Sequence, residues 1–375
     1  MANDFPTTLA LGRAFCNRRE ELKRLTTNLK RINPTLIMSP RRYGKTSLAI
    51  NSFQYLKWPY THIDFYTDLT EDGIERAILN GIGYLLGQLE TVPKRLLHLA
   101  SDFFGKMQIN VVFEKAGFKL DFSRKQRSSP QIILEALEKL HDLAEKKKKK
   151  VILFLDEFQV LAEVMQNYSI EGAIRHAVQK SQYVAYVFSG SNRHLISSMF
   201  YDKNRPFYKS CDVIKLERIS QQDYEPYIQR SAKKRWGKTL NISVLEKIFL
   251  LTEYHPYYVN KLCSLLWLID EVPKESDVLK QWKQYALENK SLIEREIELI
   301  SLNQRKLLIA IAKNEPTKEI FGKQFSVQID ISSGSLSRTL DGLMEKDYIH
   351  IDEHRFYRVL DPLIRFILSG AWNLE

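Results

Sequence analysis

The chain has 375 residues, 44% hydrophobic and 27% charged, with a net charge of +11; it is too long for one ordinary core and has the composition of two or three globular domains, not of a disordered protein. Its three cysteines, Cys16, Cys211 and Cys263, form no C-x-x-C pair, which argues against a disulfide framework or a zinc site and agrees with a reducing cytoplasm. No basic-then-apolar leader opens the sequence and no run approaches the roughly 18 apolar residues of a membrane span, so a cytoplasmic protein without a membrane partner is expected, and its charge favours an anionic partner.

In chain order, Leu22, Leu25 and Leu29 share one face of a helix predicted over 15–29. Residues 35–38 read as a short apolar strand. The octet Ser39-Pro40-Arg41-Arg42-Tyr43-Gly44-Lys45-Thr46 follows at once, and a run of helix formers opens at Ser47. Residues 62–65 are a second strand, and 74–89 a helix in which Gly81, Gly83 and Gly87 imply close packing. Partial alternation on either side of Ala116-Gly117 predicts a β-hairpin within 109–122. A basic loop over 123–130 and an amphipathic helix over 132–143 come next. The lysine run at 146–150 reads as a solvated helix end, where cations suit the dipole. Residues 151–155, 183–188 and 213–216 are further strands; their alternation with helices predicts a parallel sheet covered on both faces. From 221 to about 290 the pattern is helical throughout.

The octet matches G-x-x-x-x-G-K-[ST], with Ser39 in the slot of the first glycine. Between a strand and a helix, such a loop aims backbone N–H groups and the positive end of the helix dipole at a β-phosphate. Lys45 is expected to reach the β- and γ-oxygens of ATP, the Thr46 hydroxyl to ligate Mg²⁺, and Gly44 to let the backbone approach. The whole stretch from Ser39 and Pro40 through Arg41, Arg42 and Tyr43 to Ser47 is the expected nucleotide loop. Serine in the first slot is a departure, since that position often needs glycine's backbone freedom. The apolar run 151–155 ends in Asp156-Glu157. Asp156 would hold the Mg²⁺ water shell and Glu157 would activate the attacking water; the alternative is an acidic strand end that caps the next helix.

With these residues in order, the chain resembles the archaeal-type ATPase family of the STAND division of P-loop NTPases, relatives of the AAA+ proteins. Carrying the resemblance are Phe15-Cys16-Asn17-Arg18 with Glu21 and Leu22, the phosphate loop through Ser47, Leu155-Asp156-Glu157-Phe158-Gln159 and Phe188-Ser189-Gly190-Ser191. Arg205-Pro206-Phe207-Tyr208, Tyr254-His255-Pro256 and Leu360-Asp361-Pro362 with Arg365 complete the set. The resemblance implies that Phe15 and Arg18 lie by the adenine, that Ser191 senses the γ-phosphate, and that His255 touches the phosphates from a lid. From the residues alone, Arg18 pairs with Glu20 or Glu21, Ser191 caps a helix and His255 is a satisfied core histidine; these alternatives stay open. Where the family carries Gly-Arg after Pro-Phe-Tyr, this chain has Lys209-Ser210, so an arginine that would reach a neighbour's nucleotide is missing from its slot. Arg205 either stands in for it or, as the simpler reading, forms a structural ion pair.

Residues 301–313 form a helix with Leu307, Leu308 and Ile311 on one side, and a short helical stretch is expected at 320–325. A helix over 331–346 turns Leu336, Leu340 and Leu343 inward and Ser335, Ser337, Arg338 and Thr339 outward, and 348–351 with 356–359 make a hairpin wing. That order is a winged helix-turn-helix, as the resemblance also implies. Small polar residues and an arginine early in the second helix suit a DNA major groove; the alternative is a domain that packs on the ATPase and transmits its state. The expected fold is an α/β P-loop NTPase core with a parallel sheet over 1–220, a helical lid over 221–299 and a winged helix over 300–375. The expected activity is slow, Mg²⁺-dependent hydrolysis of ATP to ADP and phosphate as a conformational switch. Double-stranded DNA, a protein partner and further copies of the chain remain open as partners, and a non-catalytic nucleotide-dependent scaffold is the second reading.

Overall fold

The computed structural model describes residues 4–371 except 106, 108, 115–116, 122–127, 166, 323–324, 326–328 and 353. The chain divides into two compact units. One joins Arg18–Arg41 to Lys45–Leu216; the other comprises Met1–Asn17, Arg42–Gly44 and Glu217–Glu375.

The first unit is α/β. Its elements are α1 (Arg19–Lys30), β1 (Thr35–Met38), α2 (Lys45–Leu56), β2 (Tyr60–Asp64), α3 (Glu71–Leu89), α4 (Pro93–Gly105), β3 (Asn110–Glu114), β4 (Gly117–Asp121), α5 (Ser129–Lys146), β5 (Val151–Asp156), α6 (Val160–Val164), α7 (Ser169–Lys180), β6 (Val184–Gly190), α8 (Arg193–Tyr201) and β7 (Asp212–Lys215). Five strands form one parallel sheet in the order β2-β5-β6-β1-β7. β1, β5 and β6 are buried at every position, as their unbroken apolar runs require of strands covered on both faces. In register, Ile37 lies beside Ser189 and Met38 beside Gly190, while Leu155 lies beside Phe188. The carboxyl ends of β1, β5 and β6 therefore come out together, and in an open parallel sheet that edge is where ligands bind.

Several sequence expectations are refined here. The first helix starts at Arg19, not at 15, because Asn17 and Arg18 take left-handed backbone angles (φ 55° and 49°) that interrupt a right-handed helix. Of the glycines in α3, Gly81 is a close approach: a Cβ there would lie 2.5 Å from Ile63 Cδ1 on β2, whereas one at Gly87 would find nothing nearer than 3.9 Å. β3 and β4 pair as the expected hairpin. α5 begins at Ser129, two residues inside the expected basic loop, with Pro130 in its first turn, where a missing N–H costs nothing. In the lysine run Lys146, Lys148 and Lys149 are exposed as expected, while Lys147 and Lys150 are half-buried. Lys147 Nζ lies 3.0 Å from Glu90 Oε2 and Lys150 Nζ donates to Lys30 O at 2.8 Å.

The second unit holds α9 (Gln221–Trp236), α10 (Ile242–Thr252), α11 (Pro256–Leu266), α12 (Glu275–Glu298), α13 (Leu302–Lys313), α14 (Ser333–Glu345), β8 (Ile349–Ile351), β9 (Tyr357–Val359) and α15 (Pro362–Ser369). One apolar cluster runs through it, from Ile248 and Leu262 by way of Trp282 to Leu307, Leu336 and Leu363, all but completely buried. Ser301 and Gln304 close a capping box at the start of α13. β8 and β9 pair antiparallel, Ile349 beside Val359, as the expected wing. The expected short helix at 320–325 includes residues 323 and 324, which lie outside the described residues. On α14, Leu336, Leu340 and Leu343 are buried and Ser337 and Arg338 exposed, as expected. Thr339 is a correction: it is buried, and its hydroxyl donates to Ser335 O at 2.8 Å. It stands three residues after Leu336 and four before Leu343, hence on their face. Among the described residues no helix is long and apolar enough to cross a membrane.

Candidate functional site

The loop between β1 and α2 has left-handed backbone at Arg42 (φ 65°) and Gly44 (φ 91°), and Ser39 is not among the left-handed residues. Serine in the first slot therefore needs no glycine-like angle; Gly44 supplies the one that an L side chain would strain. Ser39 is buried and its hydroxyl donates to Pro40 O at 3.1 Å. Lys45 opens α2, is buried, and folds back over the loop: Nζ donates to Ser39 O (3.2 Å) and Pro40 O (3.3 Å) and lies 3.8 Å from Glu157 Oε1. Arg41 reaches the other way, donating to the Tyr66 hydroxyl at 2.9 Å. Ser47, in the first turn of α2, is buried.

Asp156, at the end of β5, collects four donors. Thr46 Oγ1 and His62 Nε2 each lie 2.9 Å from Oδ2. Glu157 N donates to Oδ1 at 3.1 Å, and Ser189 Oγ donates to the same oxygen. Burial alone would push this carboxyl up; the hydrogen bonds from His62, Ser189 and Thr46 outweigh it and hold the group below the ordinary value of 3.8. His62 is placed by the pairing of β2 with β5, where it sits beside Phe154 and stacks on that ring at 4.8 Å. Two hard oxygens, Thr46 Oγ1 and Asp156 Oδ2, thus meet at the mouth of the loop. Among the described residues no group of three His, Cys, Asp or Glu side chains could cage a metal. A pair of protein oxygens beside a phosphate loop fits Mg²⁺, which keeps most of its waters and takes few protein ligands.

Glu157 takes a left-handed angle (φ 53°), which turns its side chain toward β6. Its Oε2 accepts from Ser191 N (3.0 Å), Ser191 Oγ (2.6 Å) and Gln159 Nε2 (2.7 Å). Gly190 makes room for this: a Cβ there would lie 2.7 Å from Gln159 Oε1. The capping alternatives fail for both motifs. The N-cap of α8 is Asn192, whose side chain accepts from Leu195 N, so Ser191 is free to face Glu157. α6 has no side-chain cap bond, so neither acid caps it.

Arg18 is buried and pairs with Glu21 at 3.1 Å, one of its two helical options. Arg205 pairs with buried Glu171 at 2.7 Å, the structural ion pair. Phe15, Arg42, Tyr43, Gly44 and His255 belong to the second unit. There the Tyr43 ring meets His255 edge-on at 4.8 Å and Arg42 covers the Tyr257 ring at 4.5 Å. His255 is buried at the start of α11, and among the described residues its Nδ1 has no side-chain hydrogen-bond partner. Burial, with Arg218 and Arg42 nearby, pushes its pKa down to about 3 and keeps the ring neutral. On α14, Ser335 is half-buried and receives the Ser332 hydroxyl at 3.0 Å.

The structure thus brings Lys45, Thr46, Asp156, Glu157 and Ser191 together. It adds His62, Gln159 and Ser189, which the reading of the sequence had not placed at the site. Only the strand pairing could have found His62, since it stands 94 residues from the acid it touches.

A family model described as "ATPase domain predominantly from Archaea" matches residues 15–203. A second, described as a probable winged helix domain, matches residues 284–370. Among solved structures the chain is similar to a Walker-type ATPase of Pyrococcus abyssi, at 18% identity over 96% of this chain and 97% of that one, with a TM-score of 0.68. It is also similar to the ORC2 protein of Aeropyrum pernix in ADPNP–ADP complexes, at 11% identity over 99% and 97%, with a TM-score of 0.57. At such identities the likeness is one of fold. Among curated proteins, none matches the sequence.

Proposed function

This chain belongs to the family of ATPase domains found predominantly in Archaea, and from that premise we propose that it hydrolyses ATP to ADP and phosphate as a slow conformational switch. The observation that carries the proposal is the meeting of Lys45, Thr46, Asp156 and Glu157 at the carboxyl edge of one parallel sheet. Lys45 would exchange the carbonyls of Ser39 and Pro40 for β- and γ-phosphate oxygens, and loop N–H groups from Ser39 to Ser47 would hold the β-phosphate. Thr46 and Asp156 would hold Mg²⁺, which when bound neutralises charge on the transferred phosphoryl group. Glu157 would take a proton from the attacking water as the water oxygen bonds to the γ-phosphorus and the bond to the bridging oxygen of ADP breaks.

In the arrangement seen here Glu157 Oε2 is filled by Ser191 and Gln159, so turnover requires that carboxylate to be released. The Ser191 hydroxyl is the group that a γ-phosphate oxygen would draw away. Phe15 and Arg18 are assigned to the adenine and His255 to the phosphates, with 221–299 as the lid. The test is calorimetry with ATP: Lys45→Ala should lose measurable binding while the fold is retained, and unchanged affinity sinks the site.

The partner we infer is double-stranded DNA, read by Ser335, Ser337 and Arg338 of α14, and exposed Arg338 supports it. Fluorescence anisotropy with random-sequence duplex at two salt concentrations, with ATP, ADP or neither, is the check. Arg338→Ala should cost ~1–3 kcal/mol if the side chain reads a base edge, or lower the salt slope if it meets phosphate. Negligible binding in all three conditions removes DNA and leaves a scaffold for a protein partner.

A further inference from the structure

The number of donors on Asp156 sets a condition on metal loading. An ionised carboxylate offers about four lone-pair positions. All are occupied: Thr46 and His62 on Oδ2, Ser189 and the Glu157 backbone on Oδ1. A carboxylate can only accept here, so the His62 nitrogen facing it carries the proton. A water from a Mg²⁺ hydration shell can reach this carboxylate only if one donor leaves.

Two of the four cannot, and a third need not. Ser189 is fully buried within β6. The Glu157 donor is a backbone N–H one residue along the same chain. Thr46 can offer a lone pair to a metal while still donating its proton to Asp156, so it need not move. His62 is different: its side chain is about a third exposed, it stands on β2 at the edge of the sheet, and its ring stacks on Phe154. We propose that His62 is a placeholder on Asp156, occupying the position that the metal's hydration shell takes over when Mg²⁺ and nucleotide bind, so that the imidazole is released toward solvent at the edge strand. His62 is then a positioning residue that opposes metal loading and reports it. The inference rests on the reading of Asp156 as the Mg²⁺ carboxylate.

Two measurements test it on the full chain. In protein labelled with ¹⁵N-histidine, the His62 ring signals, assigned from their loss in His62→Phe, should shift when Mg²⁺ is added to the ADP-bound protein, and not with ADP alone. In calorimetry of Mg²⁺ into ADP-saturated protein, His62→Phe keeps an aromatic ring on Phe154 but removes the competing donor, so Mg²⁺ should bind about tenfold more tightly. A His62 signal that Mg²⁺ leaves unmoved, or equal or weaker Mg²⁺ affinity in His62→Phe, overturns the proposal. Asp156→Asn separates the two levels. If it leaves Mg²⁺ affinity unchanged, the metal assignment of Asp156 itself falls; if it weakens Mg²⁺ while His62→Phe fails to tighten it, only the placeholder role falls.

Discussion

Two clusters of charged side chains, buried or half-buried, one in each unit, hold their carboxylates by different means. Around Asp156 the partners are hydroxyls, a backbone N–H and an imidazole. Glu157 is likewise gripped by Ser191 and Gln159, with Lys45 Nζ at 3.8 Å. In the second unit, Arg218 Nη1 lies 2.5 Å from Glu253 Oε2, and Arg365 reaches the other oxygen of Glu253 and lies 3.6 Å from Glu315 Oε2. There, two guanidiniums face two carboxylates. Dipoles offset the burial of an anion yet leave its charge in place to attract a cation, whereas counter-ions cancel it. On the proposed reading the first cluster is the one that would receive a metal, and the second joins the segments it ties: Arg218 also donates to Leu360 O at 3.0 Å, between the wing and α15.

Substitutions sharpen this contrast. Glu157→Gln keeps shape and hydrogen-bonding reach but removes the proton acceptor, so turnover should fall by about 10²–10⁴-fold with ATP affinity and the unfolding midpoint unchanged. Parent-rate hydrolysis in this variant would return Glu157 to a structural role. Arg365→Met should do the opposite. It leaves Glu253 and Glu315 with one guanidinium fewer, which should lower stability in urea unfolding by about 1–3 kcal/mol and leave ATP affinity alone. If stability holds and affinity collapses, the distinction between the clusters is wrong.

Much of the first cluster was legible in the sequence because its signals are local. Gly44, Lys45 and Thr46 are consecutive, and an apolar strand announces Asp156 and Glu157. The wing was legible for the same reason, two short apolar runs flanking a polar turn. What escaped depends on pairing across the chain. His62 is an ordinary strand residue until β2 lies against β5, and Gln159 and Ser189 gain their roles only when β6 is inserted between β1 and β5. The second cluster was invisible for a like reason: Arg218, Glu253, Glu315 and Arg365 come from four separate segments with no spacing to connect them. Thr339 is expected outward when the inward face is limited to the three leucines, yet its spacing from Leu336 and Leu343 widens that face to include it.

The smallest effect expected from the contrast is in pH dependence, and its two halves have opposite sign. Burial, with Glu253 adding repulsion, pushes the Glu315 carboxyl from 4.5 up to about 7, although the Val359 N–H bond and the nearby Arg365 and Arg358 pull the other way. Between those values the folded chain holds a proton that the unfolded chain has released, so stability falls as pH rises from about 4.5 to 7. Glu171, raised to about 7 by burial despite Arg205, adds a slope of the same sign. Asp156 is displaced the other way: its stabilising contribution is complete above 3.8 and is lost as pH falls through its lowered folded value. Urea midpoints measured at half-unit steps from pH 3 to 8 should therefore lose part of their decline toward neutrality in Glu315→Gln. In Asp156→Asn the decline toward neutrality should persist and the acid-side loss should shrink. An Asp156→Asn variant that flattens the neutral limb instead would mean that the carboxylate among neutral donors is as strained as the one among counter-ions, and the physical distinction between the two clusters would be lost.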